Sequence, residues 1–231
     1  MKVKEIVSRV RAAIDELTEN EGALIEEPED EQNLTKIIID KIGYALQWVI
    51  ESAPLERLDS SVFEGLSSSE AAGFSIDGVT LVGRLKLPSD LLHIVEARLS
   101  SWTHYPKPLP DTSPEALMQV DEYARGSWDR PVNIVTYDGG DKYLEMYCAR
   151  TSDDTLKFTF VRKPKHHDFD ENDMEEDVAV PTLLEASLIY QVAGLTMTAF
   201  REELAGPLFA ISLRYLDPRT AAVPQSTGRD D

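Results

Sequence analysis

The spacing of apolar residues changes twice along the chain, and this change constrains the fold more than any single motif. Near the N-terminus, apolar residues recur every three or four positions, which is the period of an amphipathic helix. These residues are Val3, Val7, Val10, Ile14 and Leu17. Between residues 132 and 162 the period falls to two, that of a strand with one buried face. After residue 182 the helical period returns. We therefore expect helices at both ends and strands between them.

The N-terminal quarter is predicted to form two helices. The first covers residues 3–20, and the mostly acidic residues 19–31 form a loop after it. The second covers residues 32–51, presents a broader apolar face and is followed by Pro54. Residues 59–73 are rich in serine and glycine, which is typical of a linker.

The segment after the linker is predicted to change from helix to short strands. Residues 74–85 favour one or two strands about a turn at Asp77-Gly78. Residues 87–92 resemble the start of a short helix, because the serine and aspartate there can cap a free backbone N–H. A strand over residues 94–102 is expected to follow.

Three further strands are predicted after a proline-rich loop. Residues 105–111 contain three prolines and form the loop, and Ser113-Pro114 begins a helix. Residues 132–137 and 142–149 flank an Asp-Gly-Gly-Asp sequence, which is a strong hairpin signal. With a third strand over residues 155–162, we expect an antiparallel meander with one buried face.

The C-terminal part is predicted to be helical after an acid-rich loop at residues 166–177. Thr-Leu-Leu-Glu at residues 182–185 matches a capping box, and a helix is expected from there to about residue 203. Gly206-Pro207 is expected to break that helix, and a short helix then covers residues 208–216.

These elements predict an α+β fold in which the terminal helices pack as a small bundle and an antiparallel β-rich lobe is inserted between them. The helical core is assigned to residues 1–58 and 178–217. The β-rich lobe is assigned to residues 70–165, and residues 218–231 form a flexible C-terminal tail.

Composition excludes several classes of function. The chain has 42 acidic and 23 basic residues and a formal net charge of −19, which argues against a protein that wraps nucleic acid. Its apolar runs are interrupted by charged or polar residues well short of the roughly 20 residues of a transmembrane helix, so no membrane association is expected. Cys148 is the single cysteine, which excludes an internal disulfide and predicts a reducing, cytoplasmic site of synthesis.

No sequence motif predicts catalysis, a metal or a cofactor. Gly73–Gly78 lacks the glycine spacing of a nucleophile elbow, and Gly139–Lys142 lacks that of a phosphate loop. His166-His167-Asp168 is expected to be a surface loop. Asp168-x-Asp170-x-Asn172 begins like a calcium loop but lacks the central glycine and the closing glutamate. Cys148 is expected to lie in mid-strand as a buried packing residue. We therefore expect no enzymatic activity.

Two stretches of the sequence, taken together, resemble a known family of proteins. One runs from Leu87 to Leu92 and on through Arg98-Leu99 to Trp102; the other comprises Tyr123–Gly126, Arg130–Val132 and Leu144–Tyr147. Their order resembles the ring or collar proteins in virions of crAss-like phages and, more loosely, the head-to-tail adaptors of tailed bacteriophages. In those adaptors helices carry the fold, and a C-terminal helix and tail reach towards the portal protein.

The resemblance implies a structural virion protein made in the host cytoplasm. It would form a ring with copies of itself, twelvefold in symmetry, below the portal, and join head to tail through the portal and other neck and tail proteins. Genomic DNA would pass through the channel, and carboxylates lining it would repel phosphates. Candidate channel-facing acids are Glu26, Glu27, Asp30, Asp170 and Glu175. Candidate interface residues are Trp102, Tyr105, Trp128, Phe209 and Tyr215. For Trp102 and Trp128 the alternative, which we favour, is a position in the core.

Two other functions remain open from the sequence. The chain could be an acidic cytoplasmic protein-interaction module without enzymatic activity, which predicts a stable monomer. It could also be a hydrolase, which requires a pocket with converging polar groups.

Overall fold

The chain divides into two compact units in the computed structural model. We describe residues 1–18, 28–67, 73–119, 121, 123 and 125–219, and only the backbone of residues 16–18 and 28–32. The helical unit comprises Met1–Val62 and Lys163–Asp231, and the β-rich unit comprises Phe63–Arg162. Helices and antiparallel strands both build the molecule, so the predicted α+β class is confirmed.

The elements are named in chain order. The helices are α1 (Val3–Thr18), α2 (Pro28–Ser52), α3 (Pro114–Met118), α4 (Glu185–Phe200) and α5 (Glu202–Leu216). The strands are β1 (Phe63–Ser67), β2 (Ser75–Ile76), β3 (Gly83–Lys86), β4 (Leu91–Leu99), β5 (Leu109–Pro110), β6 (Val132–Asp138), β7 (Asp141–Tyr147) and β8 (Leu156–Arg162). Short 3₁₀ turns cover Leu55–Arg57, Asp173–Glu175 and Thr182–Leu184.

The core of the helical unit is formed by α1, α2, α4 and α5. Val3, Val7, Val10 and Ile14 of the α1 stripe are buried as their spacing predicts, and so is most of the wider stripe of α2. Helix α4 is buried on more than one face, because it packs against each of the other three helices. Ser187 of α4 and Ser212 of α5 each donate to the other's backbone carbonyl, which satisfies two hydroxyls inside the core.

Several predicted helix limits are wrong, each for a physical reason. Helix α2 begins at Pro28, inside the predicted loop, because proline suits the first helical position and acids follow it in the first turn. The capping box is absent: residues Thr182–Leu184 form a 3₁₀ turn, and the Thr182 N–H donates to the Asp59 carboxylate over 3.0 Å. The chain turns at Arg201, so that Pro207 lies inside α5.

The β-rich unit contains two sheets that share one core. The first has the order β1-β8-β4, and the second has the order β2-β3-β7-β6-β5. All described pairings are antiparallel except that of β5 with β6. Leu85, Leu144 and Met146 of the second sheet meet Leu99, Phe158 and Phe160 of the first in a single apolar cluster. The unit therefore has the core of a β-sandwich.

The predicted meander is wrong because β8 leaves the hairpin and joins the other sheet. Its row Leu156, Phe158 and Phe160 is buried between the sheets, which is possible only if a second sheet faces it. Strand β1, lying in the predicted linker, pairs with one side of β8, and β4 pairs with the other. Strand β4 begins at Leu91, so the short helix predicted for residues 87–92 is also wrong. The proline-rich loop contains β5.

Two local sequence patterns predicted the structure of their own segments correctly. Strands β6 and β7 form the expected hairpin, and its glycines have positive φ, 59° at Gly139 and 90° at Gly140, which explains why glycine occupies the turn. Helix α3 begins at Pro114, and the Ser113 hydroxyl accepts the Ala116 N–H over 3.1 Å.

Candidate functional site

A cleft of 770 Å³ opens in the β-rich unit, and both sheets contribute to it. Its apolar lining comes from β1, β3, β8, the start of β4 and the segment that leads into β4. These residues are Leu66, Leu85, Leu87, Pro88, Leu91 and Phe158. Lys86, Ser89, Gly140, Asp141, Lys142 and Arg162 complete the lining. The volume lies within the range of small-molecule sites in proteins.

Two basic side chains, those of Lys142 and Arg162, lie at the ends of rows of inward-facing residues, one row in each sheet. Side chains two positions apart on a strand share a face, so Lys142 continues the buried row of Leu144 and Met146 on β7. On β8, Arg162 continues the row of Phe160, and its guanidinium lies 5.4 Å from the Phe160 ring centroid. The cleft therefore combines an apolar floor with basic groups on inward-facing positions of both sheets.

Most charges around the cleft are paired within the unit. Lys86 Nζ lies 2.5 Å from Asp141 Oδ2, and this hydrogen bond raises the pKa of Lys86. Arg162 lies 2.7 Å from a Glu64 oxygen and 3.2 Å from an Asp90 oxygen. Lys142 makes no ion pair within the described part of the chain. It is consequently the cation of the cleft that is available to a ligand.

Among the described residues, the lining of this cleft contains one hydroxyl, that of Ser89, and no imidazole that could activate it. In the helical unit, Lys36, Ile39, Asp40, Asp170, Glu171 and Asn172 line a smaller cleft of 240 Å³. There Asp170 accepts the Asn172 N–H over 2.6 Å. Within the described residues, no group of three or more histidine, cysteine or acidic side chains could hold a metal ion.

Trp102 is a core residue rather than a surface anchor. Its side chain is 3% exposed, and its indole N–H donates to the Cys148 carbonyl over 2.9 Å. Cys148 itself lies just beyond β7 rather than in mid-strand, and its thiol donates to the Gly126 carbonyl. Partial burial raises the pKa of this thiol, which disfavours the reactive thiolate.

The other four interface candidates differ in exposure. Tyr105 and Trp128 lie on the surface of the β-rich unit, and the Arg150 guanidinium lies 5.1 Å from the Trp128 ring centroid. Phe209 is half-buried against α4, so close that a β-carbon at Gly194 would be 2.5 Å from its ring. Tyr215 is exposed in the last turn of α5.

Only some of the five candidate channel-facing acids lie among the residues that the structure describes. Glu26 and Glu27 lie outside the described residues, as does the side chain of Asp30. Asp170 is exposed. Glu175 is exposed too, but its carboxylate bridges Lys2 and Lys4 at 2.7 and 2.5 Å, so its charge is neutralised locally.

No family model and no curated protein matches the chain. Helix α4 with its preceding turn, Thr182–Phe200, is long and apolar enough to cross a membrane by length and composition alone, contrary to the expectation from sequence. In this structure 56% of that stretch is buried inside the protein, as in a core helix.

The basic positions in the cleft were missed by the sequence reasoning. Lys142 precedes and Arg162 follows an alternating apolar row at a spacing of two, and this signal was present in the sequence. The pairing of β8 with β1 and β4, which brings the two rows to one cleft, had no local signal.

The carboxyl group of Glu175 is expected to resist protonation, because both Lys2 and Lys4 donate hydrogen bonds to it. We call these two contacts the Glu175 clamp. Hydrogen bonds from Lys2 and Lys4 lower the pKa of Glu175 from 4.5 to about 2. Because the pKa is lowered by folding, the clamp is fully formed above pH 4.5 and is lost as the pH falls through about 2. Carboxyl-carbon NMR titration should place the midpoint of Glu175 well below 4.5, and the Lys2→Met/Lys4→Met double variant should return it there. An unchanged midpoint in that variant would contradict the clamp.

Tyr147 is expected to ionise unusually late. Partial burial raises its pKa to about 12, and its hydroxyl also donates to the Glu145 carboxylate over 2.8 Å. Glu145→Gln removes a negative charge beside the phenolate and should lower this pKa. An NMR pH titration with ring-labelled tyrosine measures it, and Glu115→Gln, at an exposed position of the same unit, is the control. Equal Tyr147 midpoints in both variants would contradict the assignment.

Proposed function

We propose that the chain is a structural subunit of a tailed bacteriophage neck, which assembles into a ring below the portal and joins head to tail. The observation that carries the proposal is the presence of two separate exposed apolar surfaces, one on each unit. A closed ring of identical subunits needs two different surfaces, because each subunit contacts its two neighbours through different faces.

The first surface is the C-terminal turn of α5, formed by Leu213 and Tyr215. Their side chains are 47% and 45% exposed. The Tyr215 ring stacks on Tyr190 of α4, with centroids 5.8 Å apart and an angle of 5° between planes. Two helices thus hold this aromatic ring in place, and a preorganised aromatic side chain is typical of a binding anchor. Its position on α5, the last helix among the described residues, supports the proposal, because in phage adaptors a C-terminal helix and tail reach towards the portal.

The second surface runs from the end of α3 into the segment before β6 and is formed by Leu117, Met118 and Tyr123. Leu117 is 63% exposed and Tyr123 is 97% exposed. Single apolar side chains on a surface are ordinary, but three within seven residues favour a contact with another chain.

The net charge of −19 supports the same proposal. Acidic subunits repel one another in solution, and an acidic channel repels the phosphates of passing DNA. Asp170, one of the candidate channel-facing acids, is exposed.

Quantitative mass spectrometry of purified virions tests the proposal. We expect this chain at the abundance of the portal protein, since rings of matched symmetry share its copy number. Absence from the particle would overturn the proposal and favour an acidic interaction module in the host cytoplasm.

A variant pair tests the first surface in particles. Complementation with the Leu213→Ser/Tyr215→Ser double variant should leave the chain folded but reduce its incorporation at least tenfold, because two apolar anchors are lost. Arg214→Ser, an exposed position of the same turn, is the matched control and should be incorporated normally. Equal incorporation of both variants would exclude the α5 surface as a contact.

A further inference from the structure

We propose that the cleft between the two sheets binds an anionic amphiphile, namely an aliphatic chain that ends in a carboxylate. The chain would lie on the apolar floor, and the carboxylate would pair with Lys142. This binding site is independent of the ring-forming surfaces.

The apolar residues that form the floor of the cleft fit the aliphatic part of the ligand. Leu66, Leu85, Leu91 and Phe158 come from both sheets, so an occupant inserts between the sheets rather than lying on one of them. Leu66 and Leu91 are only half-buried and extend the buried cluster outward to solvent. An aliphatic chain in this position removes their remaining apolar surface from water.

The cations explain the acidic end. The lining holds three basic side chains and one carboxylate, in a chain whose acidic residues outnumber its basic ones by 42 to 23. Asp141 is held by Lys86, and Arg162 is held by Glu64 and Asp90. Among the described residues, that leaves Lys142 with its ammonium group available, and a single free cation next to an apolar floor selects a ligand with one anionic group.

Inward-facing charges can also serve only to prevent sheets from associating with other chains. That role needs no ligand and is insensitive to what is added to the solution. Saturable binding of a ligand in the cleft is therefore expected only if the charges serve ligand binding.

Methyl NMR of the full chain with decanoate as the probe tests the proposal. We expect saturable shifts of the methyl signals of Leu66, Leu85 and Leu91, and smaller shifts with decyltrimethylammonium, which has the same chain length and the opposite charge. The Lys142→Glu variant should weaken decanoate binding about tenfold, the usual effect of losing a charge-assisted contact. Lys107→Glu makes the same charge change at an exposed position outside the cleft lining and should bind normally.

Three outcomes would overturn the proposal. These are no saturable shift with decanoate, equal shifts with decanoate and decyltrimethylammonium, and equal loss of binding in the two lysine variants. Backbone amide spectra of both variants show whether each is folded, so a misfolded variant is recognised before its affinity is compared. In that case Lys142→Met replaces Lys142→Glu and should also weaken binding.

Discussion

Replacement of Gly43 by alanine is expected to lower the free energy of unfolding by about 3 kcal/mol. A β-carbon at this position of α2 would lie 2.1 Å from the His167 carbonyl oxygen, so the backbone that crosses the helix there must move. That segment cannot move freely, because the next aromatic residue, Phe169, is buried in the helical core. The higher helix propensity of alanine offsets only about 1 kcal/mol of this loss.

Urea denaturation followed by circular dichroism measures the effect of Gly43→Ala. Gly65→Ala is the matched control, because among the described residues, apart from its two chain neighbours, no atom lies within 4 Å of a β-carbon at Gly65. We expect the control to change stability by no more than about 0.5 kcal/mol. Equal stability of the two variants would show that the crossing segment does not contact α2 as described.

Replacement of Asn133 by leucine is expected to lower the free energy of unfolding by about 2 kcal/mol. The side chain of Asn133 is fully buried, and its Nδ2 donates to the carbonyls of Ala97 and Pro106 over 2.9 and 3.1 Å. Leucine has a similar volume but leaves both carbonyls unpaired, at about 1–3 kcal/mol each. Part of this loss is offset, because Asn133 Oδ1 is buried without a hydrogen-bond partner within the described residues and leucine removes it.

Denaturation followed by tryptophan fluorescence measures the effect of Asn133→Leu. Asn172→Leu makes the same chemical change at an exposed position, where the backbone N–H of Asn172, and not its side chain, donates to Asp170. We expect this control to retain the stability of the parent chain. If the two variants are equally stable, the Asn133 bridge between β6 and β4 contributes no net stability.

Local sequence patterns predicted those elements whose structure is decided within a few residues. The α1 stripe, the Ser113 cap and the hairpin between β6 and β7 are examples, since spacing, capping chemistry and glycine at positive φ act locally. The limits of α4 and α5 were predicted less well. Asp59 satisfies the Thr182 N–H from a distant part of the chain, and no local pattern encodes such a partner.

The candidate cleft was predictable only in its parts. Alternation along β7 and β8 places Lys142 and Arg162 at the ends of apolar rows. Whether those rows face each other depends on which strands pair, and β8 pairs with residues of β4 and β1 that are 57 to 98 positions away in sequence. Such pairings are chosen by burial of the whole core rather than by any segment alone.

The sequence by itself therefore determined the helical ends, the β-rich centre and the acidic charge, because these follow from periodicity and composition. Tertiary structure alone decided the two-sheet arrangement, the burial of Trp102 and the exposure of Tyr215. An aromatic side chain has the same local preferences in a core as on a surface, and only the packing of distant elements decides which of the two environments it occupies.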